Sequence, residues 1–211
     1  MSNLIIAVSG AAHSGKTTAI ESLKKDFGEE NVVHNTEVIR DKNINIDMIR
    51  RDPIKYLDFE IEVIGEKILQ EEKANKETED KIIFFDRSLI DSYFYYTFYM
   101  DKSSFDQETI KKYHEFLGLL TAKIYIHLKD LYDFIFIFQP IKEQKRFDDY
   151  TQEHLKHTQE NENQFIMNMT CGFAHNSGCA NKIMLIHIQK DYKIVYGMIK
   201  SLRLQRGGLC Q

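Results

Sequence analysis

The chain has 211 residues, of which 43% are hydrophobic and 28% charged, with only 2 prolines. That composition is close to the globular average and argues for a compact soluble protein without extended linkers. The formal net charge of -4 gives no global pull toward nucleic acid, which would need a local basic patch, and none stands out. Cys171, Cys179 and Cys210 form an odd set without paired spacing, which suits reduced thiols in a cytoplasmic compartment rather than a disulfide framework. No stretch approaches the ~20 apolar residues that span a bilayer, so no membrane partner is expected.

Residues 4 to 9, LIIAVS, are apolar and β-branched, and residues 18 to 27 place Ile20, Leu23 and Phe27 at helical spacing. Between them stands Gly10-Ala11-Ala12-His13-Ser14-Gly15-Lys16-Thr17, which satisfies GxxxxGK[ST] in the strand-then-helix context that the phosphate-loop mechanism requires. Small residues there let consecutive backbone N–H groups turn around a polyphosphate, with the positive end of the following helix behind them. Gly10, His13, Ser14, Gly15, Lys16, Thr17 and Thr18 are thus the expected nucleotide contacts. Lys16 would reach the β and γ phosphates, and the Thr17 hydroxyl would hold Mg²⁺. His13 is either a titrating neighbour of the phosphates or a spacer, since the motif tolerates most residues there.

Residues 31 to 34 read as a short second strand. Residues 47 to 74 form a long helical stretch that Pro53 divides. Residues 81 to 85 are a buried strand, residues 89 to 100 and 107 to 127 two helices, and residues 132 to 139 a fourth strand. Residues 141 to 150 are polar and basic, residues 151 to 169 helical, residues 183 to 188 a fifth strand, and residues 192 to 204 a closing helix. Short apolar strands alternating with longer helices predict an α/β fold: a five-stranded parallel sheet with helices on both faces, in one domain over residues 1 to 211. Ligands of such sheets sit beyond the carboxyl ends of the strands. One rim therefore gathers the phosphate loop, TEVIRD, DRS and QPIKEQKRF.

On that rim Asp86 emerges from a buried strand, placed either to order a magnesium shell or to act as general base toward an acceptor hydroxyl. Arg87 follows, where it could neutralise charge on a transferring phosphoryl group, although Asp-Arg after a strand also occurs as a helix cap with a surface ion pair. The aromatic run Tyr93, Phe94, Tyr95, Tyr96, Phe98 and Tyr99 reads mostly as core packing, with Tyr93 or Tyr96 the members to stack on an acceptor base. Cys171, His175 and Cys179 lack a fourth ligand and the spacing of structural zinc, and read as a loop before the last strand at the edge of an adenine pocket.

Taken together, GAAHSGKTT, TEVIR, FFDRSLIDSYFYY and YDFIFIFQP resemble the nucleoside and nucleotide kinase branch of P-loop NTPase proteins over about residues 3 to 190. Within it the likeness is strongest to the small ATPase and kinase domains that include ribosylnicotinamide kinases, and looser to deoxynucleoside and thymidylate kinases. The resemblance implies ATP and Mg²⁺ as cofactors, with Lys16, Asp86 and Arg87 catalytic and Thr17 and Asp86 at the metal. It also implies acceptor contacts from Glu37 and Arg40, and a short lid at about 141 to 150 carrying Lys142, Lys145 and Arg146. Related lids often show a glycine and a later arginine where this chain reads RFDDYTQE. The expected function is transfer of the γ-phosphoryl group to a nucleoside- or nucleotide-like acceptor. DNA carrying a hydroxymethylated base is the alternative acceptor, and an NTPase switch the alternative class. The switch has no N-K-x-D signature in its favour, and an apolar helix face would allow a homodimer.

Overall fold

The computed structural model describes residues 2–11, 14–41, 46–139 and 149–206. In chain order the elements are β1 Leu4–Ser9, α1 Lys16–Phe27, β2 Val32–Asn35, α2 Val38–Asp41, α3 Ile46–Ile49, α4 Pro53–Glu77, β3 Ile82–Asp86, α5 Leu89–Phe98, α6 Gln107–Ile126, β4 Phe134–Phe138, α7 Asp149–Asn176, β5 Ile183–Ile186 and α8 Ile188–Gln205. The five strands form one parallel sheet in the order β2-β3-β1-β4-β5.

Every residue of β1 and β3 is buried, as expected of strands covered on both faces. Alternate side chains divide between the two layers. Ile5, Ala7, Ile83, Phe85, Ile135 and Ile137 pack on one side against α4, α5 and α6. Leu4, Ile6, Val8, Ile82, Phe84, Phe136 and Phe138 pack on the other against α1 and α8, through Ile20, Leu23, Val195 and Ile199. Among the described residues no helix is long and apolar enough to cross a membrane.

Several boundaries have local causes. Pro53 opens α4 at its first turn, where a missing N–H costs nothing, and the Asp52 side chain caps it by accepting from Lys55 N–H at 3.2 Å. Helix α6 passes directly into a π turn over His127–Leu131, whose carbonyl ends are held by Lys182 Nζ, 2.7 Å from Leu128 O and 2.8 Å from Tyr132 O. Helix α7 extends to Asn176, so Cys171 and His175 are helical rather than part of a loop. Cys179 precedes a strand parallel to β4, which puts it at the amino edge of the sheet, opposite the phosphate loop; an adenine edge there is ruled out by topology.

Candidate active site

The break after β1 is built by backbone geometry that side chains would obstruct. Gly10 has φ +131° and Gly15 φ +86°, and a Cβ on Gly10 would meet Phe138 O at 2.7 Å. Helix α1 begins directly at Lys16, two residues earlier than periodicity predicts, because Gly15 makes the left-handed turn into it. Lys16 is 4% exposed, and its Nζ donates to Gly10 O at 2.9 Å and Ala11 O at 2.7 Å, with Ser14 Oγ at 3.3 Å. Burial, and secondarily the Arg87 guanidinium, push its ammonium down to about 8. Ser14 is buried beneath the loop and Thr18 exposed on the first turn of α1. His13 lies outside the described residues.

Two residues that the sequence reading missed hold this loop. Asp91 is fully buried: its Oδ2 accepts from Ser9 Oγ at 2.5 Å, Ser88 N–H at 2.8 Å and Ser88 Oγ at 2.7 Å, and its Oδ1 accepts from Gly10 N–H at 3.2 Å. One carboxylate thus joins the end of β1, the loop and the start of α5. The signal was available, because Ser88-x-x-Asp91 is capping-box spacing. Asn163 of α7, 4% exposed, accepts from Ala11 N–H at 3.2 Å. It lies in phase with buried Ile166, Thr170 and Ala174, so helical periodicity marks it as a polar residue on a core face.

At the end of β3, Asp86 is fully buried and its Oδ2 accepts from Thr17 Oγ1 at 3.0 Å. The parallel register sets Val8 beside Asp86, which brings the carboxylate to the first turn of α1. Arg87 adopts φ +76°, an uncommon conformation for a residue with a Cβ. Its N–H is anchored on Val8 O at 2.8 Å. The side chain turns onto the Tyr95 ring, 4.9 Å from its centroid, donates to Tyr95 Oη at 3.0 Å and pairs with Glu37. Burial opposes its charge, yet Tyr95, Glu37 and Asp91 outweigh that and hold Arg87 protonated.

Glu37, Val38, Ile39, Asp86, Arg87 and Tyr95 form one side of a cleft open to solvent, whose other side is α4. Its α4 wall is Glu60, Val63 and Lys67, of which Glu60 and Lys67 make with Glu71 a polar stripe at helical spacing. The sequence reading passed over this stripe because charged residues surround it on every side of α4. Tyr93, expected to touch the acceptor, instead packs edge-on against Phe173 of α7 at 5.1 Å, and Tyr96 is buried in a stack on Tyr113. The cavity takes Tyr95, since helical phase allows one of these three rings to face it. Burial pushes the Tyr95 phenol up to about 12. The side chain of Arg40 lies outside the described residues, as do Lys142, Lys145 and Arg146.

Glu60 is 3% exposed. Burial raises its carboxyl above the ordinary value of 4.5; Tyr56, Arg50 and Arg87 pull it down and Glu37 adds to the rise. A group whose folded value is raised contributes its stability in full below about pH 4.5 and loses it as pH climbs through the folded value. Glu60→Gln removes that loss. At pH 7 it should melt a few degrees above wild type, since ~1 kcal/mol moves Tm by about 2–4 °C at this size, and the gap should close by pH 4.5. An equal difference at both pH values would show that Glu60 is ionised in the fold.

A protein-family model described as "AAA domain" matches residues 5–176. No curated protein matches the sequence. Among solved structures the chain is similar to a NadR protein in complex with NR, with TM-score 0.62 and 17% identity over 94% of this chain and 51% of that one. It is also similar to a NadR protein in complex with NAD and AMP-PNP, with TM-score 0.56 and 15% identity over 94% of this chain and 49% of that one. The chain spans about half the length of these structures. With the glycine turn, the buried lysine and the five-stranded parallel sheet in place, the match over residues 5–176 makes the chain a member of this AAA domain family, with the P-loop fold of nucleotide-kinase-like proteins.

Proposed function

We propose that the chain is an ATP-dependent phosphotransferase that delivers the γ-phosphoryl group to a hydroxyl of a small nucleoside- or nucleotide-like acceptor. The observation that carries this reading is the position of Asp86 between two compartments. Its carboxylate meets Thr17 at 3.0 Å on the loop side and lines the cavity on the other. A hydrolase needs only water at that point, whereas a cleft lined by Glu37, Glu60, Lys67, Arg87 and Tyr95 offers several polar groups to a second substrate. The two NadR structures hold NR in one case and NAD with AMP-PNP in the other, ligands of the nucleoside and nucleotide class proposed here.

In this scheme the loop amides and the amino end of α1 grip the triphosphate, and Lys16 exchanges the Gly10 and Ala11 carbonyls for phosphate oxygens. Thr17 and Asp86 offer oxygen donors 3.0 Å apart, and among the described residues no group of three or more His, Cys, Asp or Glu is arranged to hold a metal ion by itself. That donor set fits Mg²⁺, which takes one or two protein oxygens and completes its shell with water and phosphate. When bound, it neutralises charge on the phosphate oxygens. Asp86 receives the acceptor's hydroxyl proton, and Arg87, held over Tyr95 by Glu37, faces the charge that develops between the compartments.

The test is ADP release from labelled ATP with Mg²⁺ across nucleosides, nucleoside monophosphates and hydroxymethylated DNA. A monomeric acceptor should raise the rate by about tenfold or more over the acceptor-free rate, and label should enter that acceptor. Equal ADP release with and without every acceptor would overturn the reading. Label appearing in DNA alone would move the acceptor to the polymer.

A further inference from the structure

Helix α4 carries a buried ammonium that neither the nucleotide site nor the core accounts for. Lys67 is 6% exposed and lines the cavity alongside Asp86. Its Nζ meets Glu71 Oε1 at 3.0 Å, and no other partner is present among the described residues. An ammonium has three donors, so N–H bonds remain for something inside the cavity. Those N–H bonds face a cleft open to solvent, where a bound acceptor's oxygen would take the place of water.

The lysine is held in place from behind. Glu71 is fully buried, accepts from Tyr132 Oη at 2.6 Å and lies 2.9 Å from His127 Nδ1. Burial alone would raise its carboxyl, but Lys67, His127 and Tyr132 together hold it below the usual glutamate range. Tyr132 Oη in turn accepts from Leu89 N–H at 3.2 Å, at the start of α5. This chain of contacts ties the depth of Lys67 to the turn that positions Asp86 and Arg87.

The charge around the cavity selects what Lys67 can meet. Both described cations of the wall are already matched within the protein, Lys67 by Glu71 and Arg87 by Glu37. Glu37, Glu60 and Asp86 line the same cleft. A phosphate on the acceptor would face the carboxyl groups of Glu37 and Asp86 and compete with the existing ion pairs, whereas an uncharged oxygen takes a spare N–H at no such cost. From this geometry we infer that Lys67 donates a hydrogen bond to a carbonyl or hydroxyl oxygen of the acceptor and makes the cavity selective for acceptors that carry no phosphate. The inference rests on the kinase reading above and deepens it.

The experiment compares initial rates of ADP formation with purine and pyrimidine nucleosides and their 5′-monophosphates for wild type, Lys67→Met and Lys67→Gln. Wild type should favour a nucleoside over its own monophosphate by about tenfold or more in kcat/KM. Lys67→Met should raise the acceptor KM by roughly 10- to 100-fold with little change in the KM for ATP, and Lys67→Gln, which keeps a donor, should recover part of the loss. Circular dichroism and binding of a fluorescent ATP analogue establish that each variant is folded, and if Lys67→Met is not, Lys67→Gln carries the comparison. An acceptor KM within about twofold of wild type in a folded variant, or a preference for the monophosphate, would overturn the inference and leave the kinase reading standing. Nucleotide binding by wild type with no acceptor-stimulated turnover across the whole panel would overturn both.

Discussion

Lys16→Met should bring acceptor-dependent ADP formation down by about three orders of magnitude or more while the protein stays folded. A single preorganised charge facing a transferring phosphoryl group supplies on the order of 10³-fold or more in rate, and among the described residues Lys16 is the only cation of the loop itself. Structure permits the replacement. Methionine fills nearly the same length, and burial already works against the ammonium, which is pushed down to about 8. The cost falls on the carbonyls of Gly10 and Ala11, which lose a donor at 2.9 and 2.7 Å, roughly 1 kcal/mol each. Relief from burying a charge offsets part of that, so the melting temperature should shift by only a few degrees. Turnover within tenfold of wild type in this variant would mean that the loop lysine does not touch the reacting phosphates, and the proposed chemistry would have to move elsewhere.

Asp86→Asn is the second large effect, expected to lower kcat by about 10² to 10⁴, the usual range for loss of a general base. Asparagine keeps the volume and can still accept from Thr17 Oγ1, so the 3.0 Å contact and the packing of this fully buried position survive. What disappears is the negative charge. The two roles open to this residue then separate by their response to magnesium. If Asp86 only takes the hydroxyl proton, kcat falls and the magnesium concentration for half-maximal rate is unchanged. If it also orders the magnesium shell, that concentration rises by roughly tenfold, the worth of one charged hydrogen bond. A fall in kcat of less than about threefold would remove Asp86 from the chemistry altogether.

The order of strands and helices was legible because each strand is an unbroken apolar run and each long helix repeats its apolar residues at 3.6. The same legibility reached the placement of Lys16, Thr17 and Asp86 on one rim of the sheet, because spacing from strand ends is a local matter. It failed where neighbours in space, distant in sequence, set the outcome. Tyr93 and Tyr95 look alike within a run of rings, and their fates follow from which face of α5 meets Phe173 and which meets Arg87. Asp91 and Asn163 carry no motif of their own for phosphate binding, yet both clasp the loop, from 81 and 152 residues away. Lys67 read as one charge among many on α4, and its pairing with a Glu71 that His127 and Tyr132 hold depends on residues far away in sequence.

By itself, then, the sequence of this protein determined a parallel α/β sheet and a phosphate-binding turn, because both depend on backbone conformation and on periodicity over a few residues. The tertiary structure alone decided which carboxyl groups are matched by which cations, and which face of α4 and α5 looks into the cavity. Those are outcomes of burial and of close approach between segments, and in this chain they bear directly on what the proposed acceptor would be.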